Sequence, residues 1–180
     1  MDVDEARRVI EALIFASTRP IRAEEIAQVI GFDAETTTAL IHQLKSEYDS
    51  MRRGIQVIEV AGGYQMATRP ELAPYIEKVE RTPKGQGLSR AALETLAVIA
   101  YKQPITRGEI EALRGVRVDA VLATLLERGL IREVGRKETL GRPILYGTTP
   151  EFLRYFGMKS LSELPELKMP GRSNTQPQSG

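Results

Sequence analysis

An internal repeat constrains the fold of this chain more than any other feature of its sequence. The stretch at 12–26, ALIFASTRPIRAEEI, returns 84 positions later at 96–110 as LAVIAYKQPITRGEI, with alanine, proline, glutamate and two isoleucines at matched positions. A second pair of matched stretches follows at 68–72 and 148–152. Two matched anchors in the same order, about one domain apart, indicate a duplicated module. A period this long predicts two domains rather than a solenoid.

Both copies have the same predicted order of elements. An apolar helix leads into a turn that contains Pro20 or Pro104, and then come a short helix, a second amphipathic helix and two β-rich runs. Proline suits the turn because it cannot donate a backbone hydrogen bond and disfavours helix in the residue before it. The order α-α-α-β-β is typical of the winged helix. The sequence therefore predicts an α+β, mostly α, chain of two tandem winged-helix (helix-turn-helix) domains.

The first copy has clear helix and hairpin signals. Apolar periodicity predicts three helices, at 5–17, 23–30 and 34–51. The short helix is expected to bury Ile26, Val29 and Ile30. Two β-rich runs follow, at 55–60 and 64–68. Between them lie Gly62 and Gly63, and this pair predicts a tight turn because both residues accept positive φ.

The second copy gives similar signals. Its first helix is expected to bury four residues, Leu93, Leu96, Ala97 and Ala100. Thr106 and Glu109 match a capping box, after which Ile110 and Leu113 should face inward. Residues 118–126 show the most regular helical spacing of apolar residues in the chain. Two strands, at 130–134 and 144–148, form the second wing.

Composition divides the chain into segments. The stretch RTPKGQG at 81–87 is rich in Pro, Gly and polar residues, which predicts a linker. The last residues combine Pro, Gly, Ser, Gln and Asn with few apolar residues, which predicts disorder. The predicted segments are an N-terminal winged-helix domain at 1–80, a linker at 81–87, a C-terminal winged-helix domain at 88–165 and a disordered tail at 166–180.

The formal net charge of +1 conceals an asymmetry between the two copies. Residues 1–80 carry 9 Lys and Arg against 14 Asp and Glu, whereas residues 81–165 carry 14 against 9. Such a split indicates that one half presents a charged surface to a partner.

The residue inventory argues against an enzyme. The chain has no cysteine and one histidine, His42, which lies about 160° around its helix from Leu44 and should face solvent. The sequence shows no catalytic triad, metal-binding cluster or phosphate-binding glycine loop. We therefore expect no catalytic, cofactor-binding or metal-binding residues.

The sequence gives no signal for a membrane or for secretion. No apolar run approaches the roughly 20 residues that a membrane helix needs. The first residues, MDVDEARR, are charged and do not fit a secretory signal. We expect a cytoplasmic protein without a membrane partner.

Winged helices often bind DNA, so the charge of the two candidate recognition helices is informative. In the first copy, residues 33–50 set four acidic residues against one lysine: Asp33, Glu35, Glu47 and Asp49 against Lys45. An acidic surface repels the phosphates that dominate DNA affinity, and residues 117–128 of the second copy are charge-balanced. Neither helix carries the Arg, Asn and Gln set that reads base edges. Weak or no direct DNA binding is therefore expected. The alternative function is that of a dimeric winged-helix DNA-binding transcriptional regulator.

Two groups of residues in the second copy are candidate contact sites. Four basic residues cluster on the second wing: Arg132, Arg136, Lys137 and Arg142. They are either a solvated hairpin that protects an edge strand or contacts for phosphate or an acidic partner. Four aromatic residues follow: Tyr146, Phe152, Tyr155 and Phe156. They are either core residues or a group from which one residue, left outside the core, anchors a partner.

Longer stretches of the second copy also match a known family. They are AALETL at 91–96, IAYKQPITR at 99–107, LLERGLI at 125–131 and GRPILYGTT at 141–149, followed by Phe152-Leu153 and Phe156-Gly157. With them the chain resembles the segregation and condensation protein B (ScpB) family of the bacterial chromosome-condensing SMC complex. The resemblance covers about residues 5–165 and is most specific in the second half.

The resemblance implies two winged-helix domains without catalysis or cofactors. It implies a homodimer formed through the N-terminal domains. It also implies binding to the kleisin ScpA, which bridges the heads of the SMC ATPases, and therefore a role in chromosome condensation and segregation. It assigns no partner contacts residue by residue, so the candidate sites above depend on the physical argument alone.

Overall fold

The computed structural model describes residues 1–79 and 87–166, which contain two separate hydrophobic cores. The buried side chains of one core come from residues 6–64 and those of the other from residues 92–152. The predicted linker lies outside the described residues except for Gly87, and the predicted tail does so except for Glu166. The domain boundaries therefore stay a prediction.

The first half is a three-helix unit followed by a hairpin. Its elements are α1 (Val3–Ala16), α2 (Ala23–Ile30), α3 (Ala34–Ser50), β1 (Ile55–Val60), β2 (Gly63–Thr68), a 3-10 helix (Pro70–Leu72) and α4 (Ala73–Val79). Asp2 and Asp33 begin α1 and α3, since each carboxylate accepts a hydrogen bond from a backbone N–H three residues later, at 2.7 and 2.8 Å. α2 ends at Gly31, whose φ of 75° favours glycine.

The hairpin turn lies one residue earlier than the sequence predicted. Ala61 and Gly62 form the turn with φ of 50° and 73°, and Gly63 already pairs with Val60 in the sheet. The predicted turn at Gly62 and Gly63 is therefore wrong by one position. The chain tolerates a non-glycine residue at positive φ here because the antiparallel ladder on both sides fixes the turn.

A tertiary contact, and not the turn, requires glycine at position 63. A Cβ at this position would lie 3.0 Å from the backbone of Pro20 and Ile21. The missing side chain therefore lets the segment after α1 approach the hairpin. Ile21 and Tyr64 exchange backbone hydrogen bonds of 2.9 and 2.8 Å across this approach.

The second half repeats this plan with one more strand. Its elements are α5 (Arg90–Lys102), β3 (Ile105–Thr106), α6 (Arg107–Arg114), α7 (Asp119–Glu127), β4 (Ile131–Arg136), β5 (Ile144–Thr148), α8 (Pro150–Phe156) and a 3-10 helix (Leu161–Glu163). The sheet is antiparallel with strand order β3-β5-β4. β3 was not predicted, because two residues are too few to show the alternation of a strand.

One contact recurs at the same place in both halves. Ile105 of β3 pairs with Tyr146 of β5, as Ile21 bridges to Tyr64 of β2. Ile21 and Ile105 are matched positions of the repeat, so each copy uses the residue after its proline to join the helices to the wing. The predicted fold class, mostly helical with tandem winged helices, is confirmed.

Two apolar residues assigned to the core lie at the surface. Val29 of α2 is 59 % exposed and Leu113 of α6 is 58 % exposed. Both helices have only eight residues, so each sends one narrow row of side chains into the core. This row includes Ile26 in α2 and Ile110 in α6. The residue three positions after each of these lies beside that row and faces solvent.

α5 also turns a different face to the core than predicted. Its buried side chains include Ala92, Leu96 and Ile99, whereas Leu93 and Ala97 are exposed. Leu96 and Ala100 belong to both the predicted and the observed row, so periodicity alone could not choose between the two rows. The exposed pair becomes part of the surface described below.

The two halves touch where the first hairpin meets the chain after α8. The N–H of Ala61 donates to the carbonyl of Met158 at 2.9 Å. Beside this bond, the ammonium of Lys159 lies 2.7 Å from the carboxylate of Glu59. Hydrogen bonding to Glu59 raises the pKa of Lys159, because the nearby carboxylate favours the charged ammonium.

Candidate partner-binding surface

The aromatic residues of α8 lie partly inside and partly outside the second core. Thr149 begins this helix by accepting a hydrogen bond from the N–H of Phe152 at 3.3 Å, and Gly157 ends it at φ 66°. Phe152 is 2 % exposed, whereas Tyr155 and Phe156 are 46 % and 44 % exposed. Fixed helix ends therefore hold two aromatic rings at the surface.

Tyr146 does not share this position. It lies in β5 opposite Ile105 and Glu133 and is buried in the second core. Burial raises the pKa of its phenol, because desolvation disfavours the ionised form. Tyr146 and Phe152 are thus core residues, and only Tyr155 and Phe156 of the four predicted aromatics are open to a partner.

The aromatic rings of α8 form one continuous cluster. Phe156 lies 5.0 Å from Phe152 between ring centroids, with a tilt of 57° between the planes. Tyr155 lies 5.1 Å from Phe156 in an edge-to-face arrangement at 74°. Aromatic pairs of this geometry stabilise by more than the area they bury, so the buried Phe152 holds the exposed Phe156 in place.

An apolar groove runs beside this cluster. It has a volume of about 330 Å³ and lies between α5 and α8. Its walls are Leu93, Leu96, Ala97, Ala100 and Tyr101 from α5, Phe152 and Phe156 from α8, and Met158, Leu164 and Pro165 from the chain that follows. The exposed apolar side chains around it make the groove suitable for an apolar segment of another protein.

The basic residues of the second wing lie elsewhere. None of Arg132, Arg136, Lys137 and Arg142 lines the groove. Two of them make contacts within the second half: the Arg136 guanidinium donates to the carbonyl of Arg142 at 3.1 Å, and the Lys137 ammonium donates to the carboxylate of Glu109. The structure therefore does not bring the basic and aromatic groups together at one groove.

The contacts of Glu109 shift its titration. Its carboxylate accepts hydrogen bonds from Lys137 and from the backbone and hydroxyl of Thr106. These bonds, with Lys137 contributing most, lower the pKa of Glu109 to about 2. The predicted capping box of Thr106 and Glu109 is present, and Lys137 adds a third partner.

The acidic residues of α3 take part in contacts within the first half. Asp33 caps the helix, Glu47 pairs with Arg7, and Asp49 lies 2.8 Å from the guanidinium of Arg69. No arginine lies on α3 itself. The helix therefore presents little that would attract the phosphate backbone of DNA.

The structure shows no site for a metal in its described parts. Across residues 1–79 and 87–166, no three or more His, Cys, Asp or Glu side chains lie close enough together to hold an ion. Among the helices of the same residues, none is long and apolar enough to cross a membrane.

Comparison with known proteins identifies the family. A family model described as segregation and condensation complex subunit ScpB matches residues 8–167. The chain belongs to the ScpB family. Segregation and condensation protein B of Symbiobacterium thermophilum is 55 % identical over 163 residues, 91 % of this chain and 74 % of that protein. The Moorella thermoacetica protein of the same name is 53 % identical over 165 residues, 92 % and 84 % of the two chains.

Solved structures of the ScpB family are also similar in sequence. ScpB from Mycobacterium tuberculosis is 40 % identical, covers 88 % of this chain and 98 % of its own, and superposes with a TM-score of 0.44. A dimer of an ScpB N-terminal domain complexed with an ScpA peptide is 32 % identical. It covers 43 % of this chain and 96 % of its own with a TM-score of 0.41.

Some residues of the groove could not be found from the sequence. Leu93 was expected in the core, and Tyr101 was part of the family resemblance without a role of its own. Met158, Leu164 and Pro165 follow α8 and carry no periodic signal. The groove depends on how α5 packs against α8, which no single segment of an ScpB-family sequence reveals.

Proposed function

We propose that this chain is a non-catalytic adaptor of the bacterial SMC–kleisin complex. In this role it binds the kleisin ScpA as a homodimer and, through ScpA, associates with the SMC ATPase heads in chromosome condensation and segregation. The protein acts on the chromosome in the cytoplasm. Membership of the ScpB family supports this role.

One observation carries the proposal for the second half: an apolar groove lies beside the exposed ring of Phe156. A kleisin segment would place apolar side chains in this groove, as an amphipathic helix does in other helix-in-groove complexes. Phe156 is the anchor, because it combines a large apolar surface with a position fixed by Phe152. Tyr155 extends the contact at the edge.

Self-association is proposed for the first half. Phe15 of α1 is 74 % exposed, and beside it lies a shallow pocket that includes Ala12, Ile55 and Met66. A second copy that covers Phe15 would remove this apolar surface from water, which stabilises association. The acidic α3 agrees with this use, since pairing between protein copies requires no attraction to phosphate.

The basic wing is the observation that favours the alternative, a DNA-binding regulator. Arg132, Arg136 and Arg142 lie on or beside β4, where a wing can reach phosphate. The same wing could guide an acidic partner, since charge complementarity raises association rates. Weak, strongly salt-dependent binding to duplex DNA is what such a wing would give by itself.

Co-purification with ScpA tests the proposed function. The tagged full chain should retain ScpA through size-exclusion chromatography at physiological salt. A Phe156→Ala variant should lose part of the bound ScpA, whereas Tyr75→Ala, an exposed aromatic of α4 away from the groove, should not. Failure of the parent chain to retain ScpA, combined with retention of duplex DNA at that salt, would favour the regulator.

A further inference from the structure

The chain after α8 forms a strap along the groove between α5 and α8. The strap comprises residues 158–165 and includes the 3-10 helix Leu161–Glu163. Met158 at its start and Leu164 and Pro165 at its far end all line the groove. Part of the surface proposed for ScpA is therefore already covered by the chain itself.

The start of the strap is held by several bonds. The N–H of Met158 donates to the carbonyl of Leu153 at 2.9 Å, and its carbonyl accepts from Ala61 at the same distance. The N–H of Lys159 donates to the carboxylate of Glu163 at 2.6 Å, and its ammonium lies 2.7 Å from Glu59. The bonds to Leu153, Ala61 and Glu59 fix the start to α8 and to the first hairpin, whereas the bond to Glu163 stays within the strap.

The far end is held more weakly. Within the part of the chain that the structure describes, its hydrogen bond to the body of the protein runs from the Tyr101 hydroxyl to the carbonyl of Pro165, at 2.6 Å. Leu164 adds a half-buried side chain against the second core, while Leu161 and Ser162 between the two ends are exposed. The start of the strap thus has more bonds to the body of the protein than its far end has.

We propose that the far end of the strap competes with the kleisin segment for the groove. The strap pivots on Met158 and Lys159, and release of Leu164 and Pro165 opens the full length of the groove. This inference rests on the proposed function, in which the groove binds ScpA. It adds a regulation: the apparent affinity for ScpA depends on the fraction of molecules whose strap is open.

The strength of this effect follows from the bond that holds the strap. Removing one neutral hydrogen bond changes an equilibrium by about fivefold, which corresponds to roughly 1 kcal/mol. If the strap is mostly closed, Tyr101→Phe should raise the open fraction, and with it the affinity for ScpA, by about this factor. The substitution keeps the aromatic ring that lines the groove.

The experiment compares four variants of the full chain in titrations with purified ScpA and, separately, with the apolar dye 8-anilinonaphthalene-1-sulfonate. Tyr101→Phe and Leu164→Ser loosen the strap through different groups, Phe156→Ala removes the proposed anchor, and Tyr75→Phe is the matched loss of a hydroxyl elsewhere. Thermal melts confirm folding of each variant. The two strap variants should bind ScpA and dye more tightly than the parent, and Tyr75→Phe should match the parent.

The outcomes separate this inference from the proposed function. In the first outcome, Phe156→Ala weakens ScpA binding and the strap variants leave ScpA binding unchanged or weaken it. This outcome overturns the competing strap and keeps the groove as the ScpA site. Phe156→Ala without effect on ScpA overturns the proposed site instead. Dye binding then tests whether the strap can leave the groove. Greater dye binding by Tyr101→Phe supports a detachable strap, and unchanged dye binding overturns it.

Discussion

The ammonium group of Lys137 donates to the carboxylate of Glu109 and so ties the second wing to the first turn of α6. The two residues are 28 positions apart, and both side chains stay partly open to solvent. One basic residue of the wing is thus engaged in a contact within the protein. Because Glu109 titrates, the stability that this contact contributes depends on pH.

We predict that Glu109→Gln lowers the melting temperature at pH 7 but not near pH 2. The folded protein lowers the pKa of Glu109 from 4.5 to about 2, so its contribution is complete above pH 4.5 and disappears as the pH falls towards 2. Melting curves of parent and variant should therefore converge across this range. A constant difference down to pH 2 would contradict the pairing, and added salt should reduce the difference at pH 7.

Two glycines should respond in opposite ways to replacement by alanine. Gly63→Ala places a Cβ 3.0 Å from the backbone of Pro20 and Ile21, and overpacking of this kind costs about 1–3 kcal/mol. Gly108→Ala in α6 meets no atom within 4 Å and should stabilise by roughly 0.5–1 kcal/mol. Urea denaturation measures both, and a neutral Gly63→Ala would show that the approach of the hairpin to Ile21 is loose.

Features that depend on neighbouring residues could be predicted from the sequence, whereas features that depend on tertiary contacts could not. The capping box of Thr106 and Glu109 and the bounds of the helix at 23–30 were predicted correctly, because each depends on residues close together in the sequence. Gly63 is needed because of its contact with Ile21, about forty positions away, and no local pattern indicates that contact. The turn was placed one residue late for this reason.

The candidate site was predictable to the same extent. The sequence left two interpretations of the four aromatic residues open, core only or one residue outside the core, and the structure exposes Tyr155 and Phe156. Which face of α5 opens beside them could not be read from periodicity, since two rows of apolar residues share Leu96. The pairing of Lys137 with Glu109 likewise required the fold.

Self-association should depend on Phe15. Covering one phenylalanine side chain stabilises by about 1.5–3 kcal/mol, so Phe15→Ser should weaken a dimer about tenfold or more. Light scattering on parent and variant at tens of micromolar compares the two masses. Leu140→Ser, which removes an exposed apolar residue from the second wing, is the matched control and should stay dimeric. A parent that is monomeric at this concentration would contradict the proposed self-association, and a Phe15→Ser variant that remains fully dimeric would place the contact elsewhere.

Calorimetric titration with ScpA of the parent, Phe156→Ala and Arg136→Ala tests the central claim most directly. Loss of an apolar anchor costs about 2 kcal/mol or more, roughly a 30-fold loss of affinity, whereas loss of one exposed charge costs about 1 kcal/mol or less. With folding confirmed by thermal melts, Phe156→Ala should weaken binding far more than Arg136→Ala. The opposite order, together with sub-micromolar binding to plain duplex DNA at physiological salt, would contradict the adaptor role of this surface and favour a DNA-binding protein.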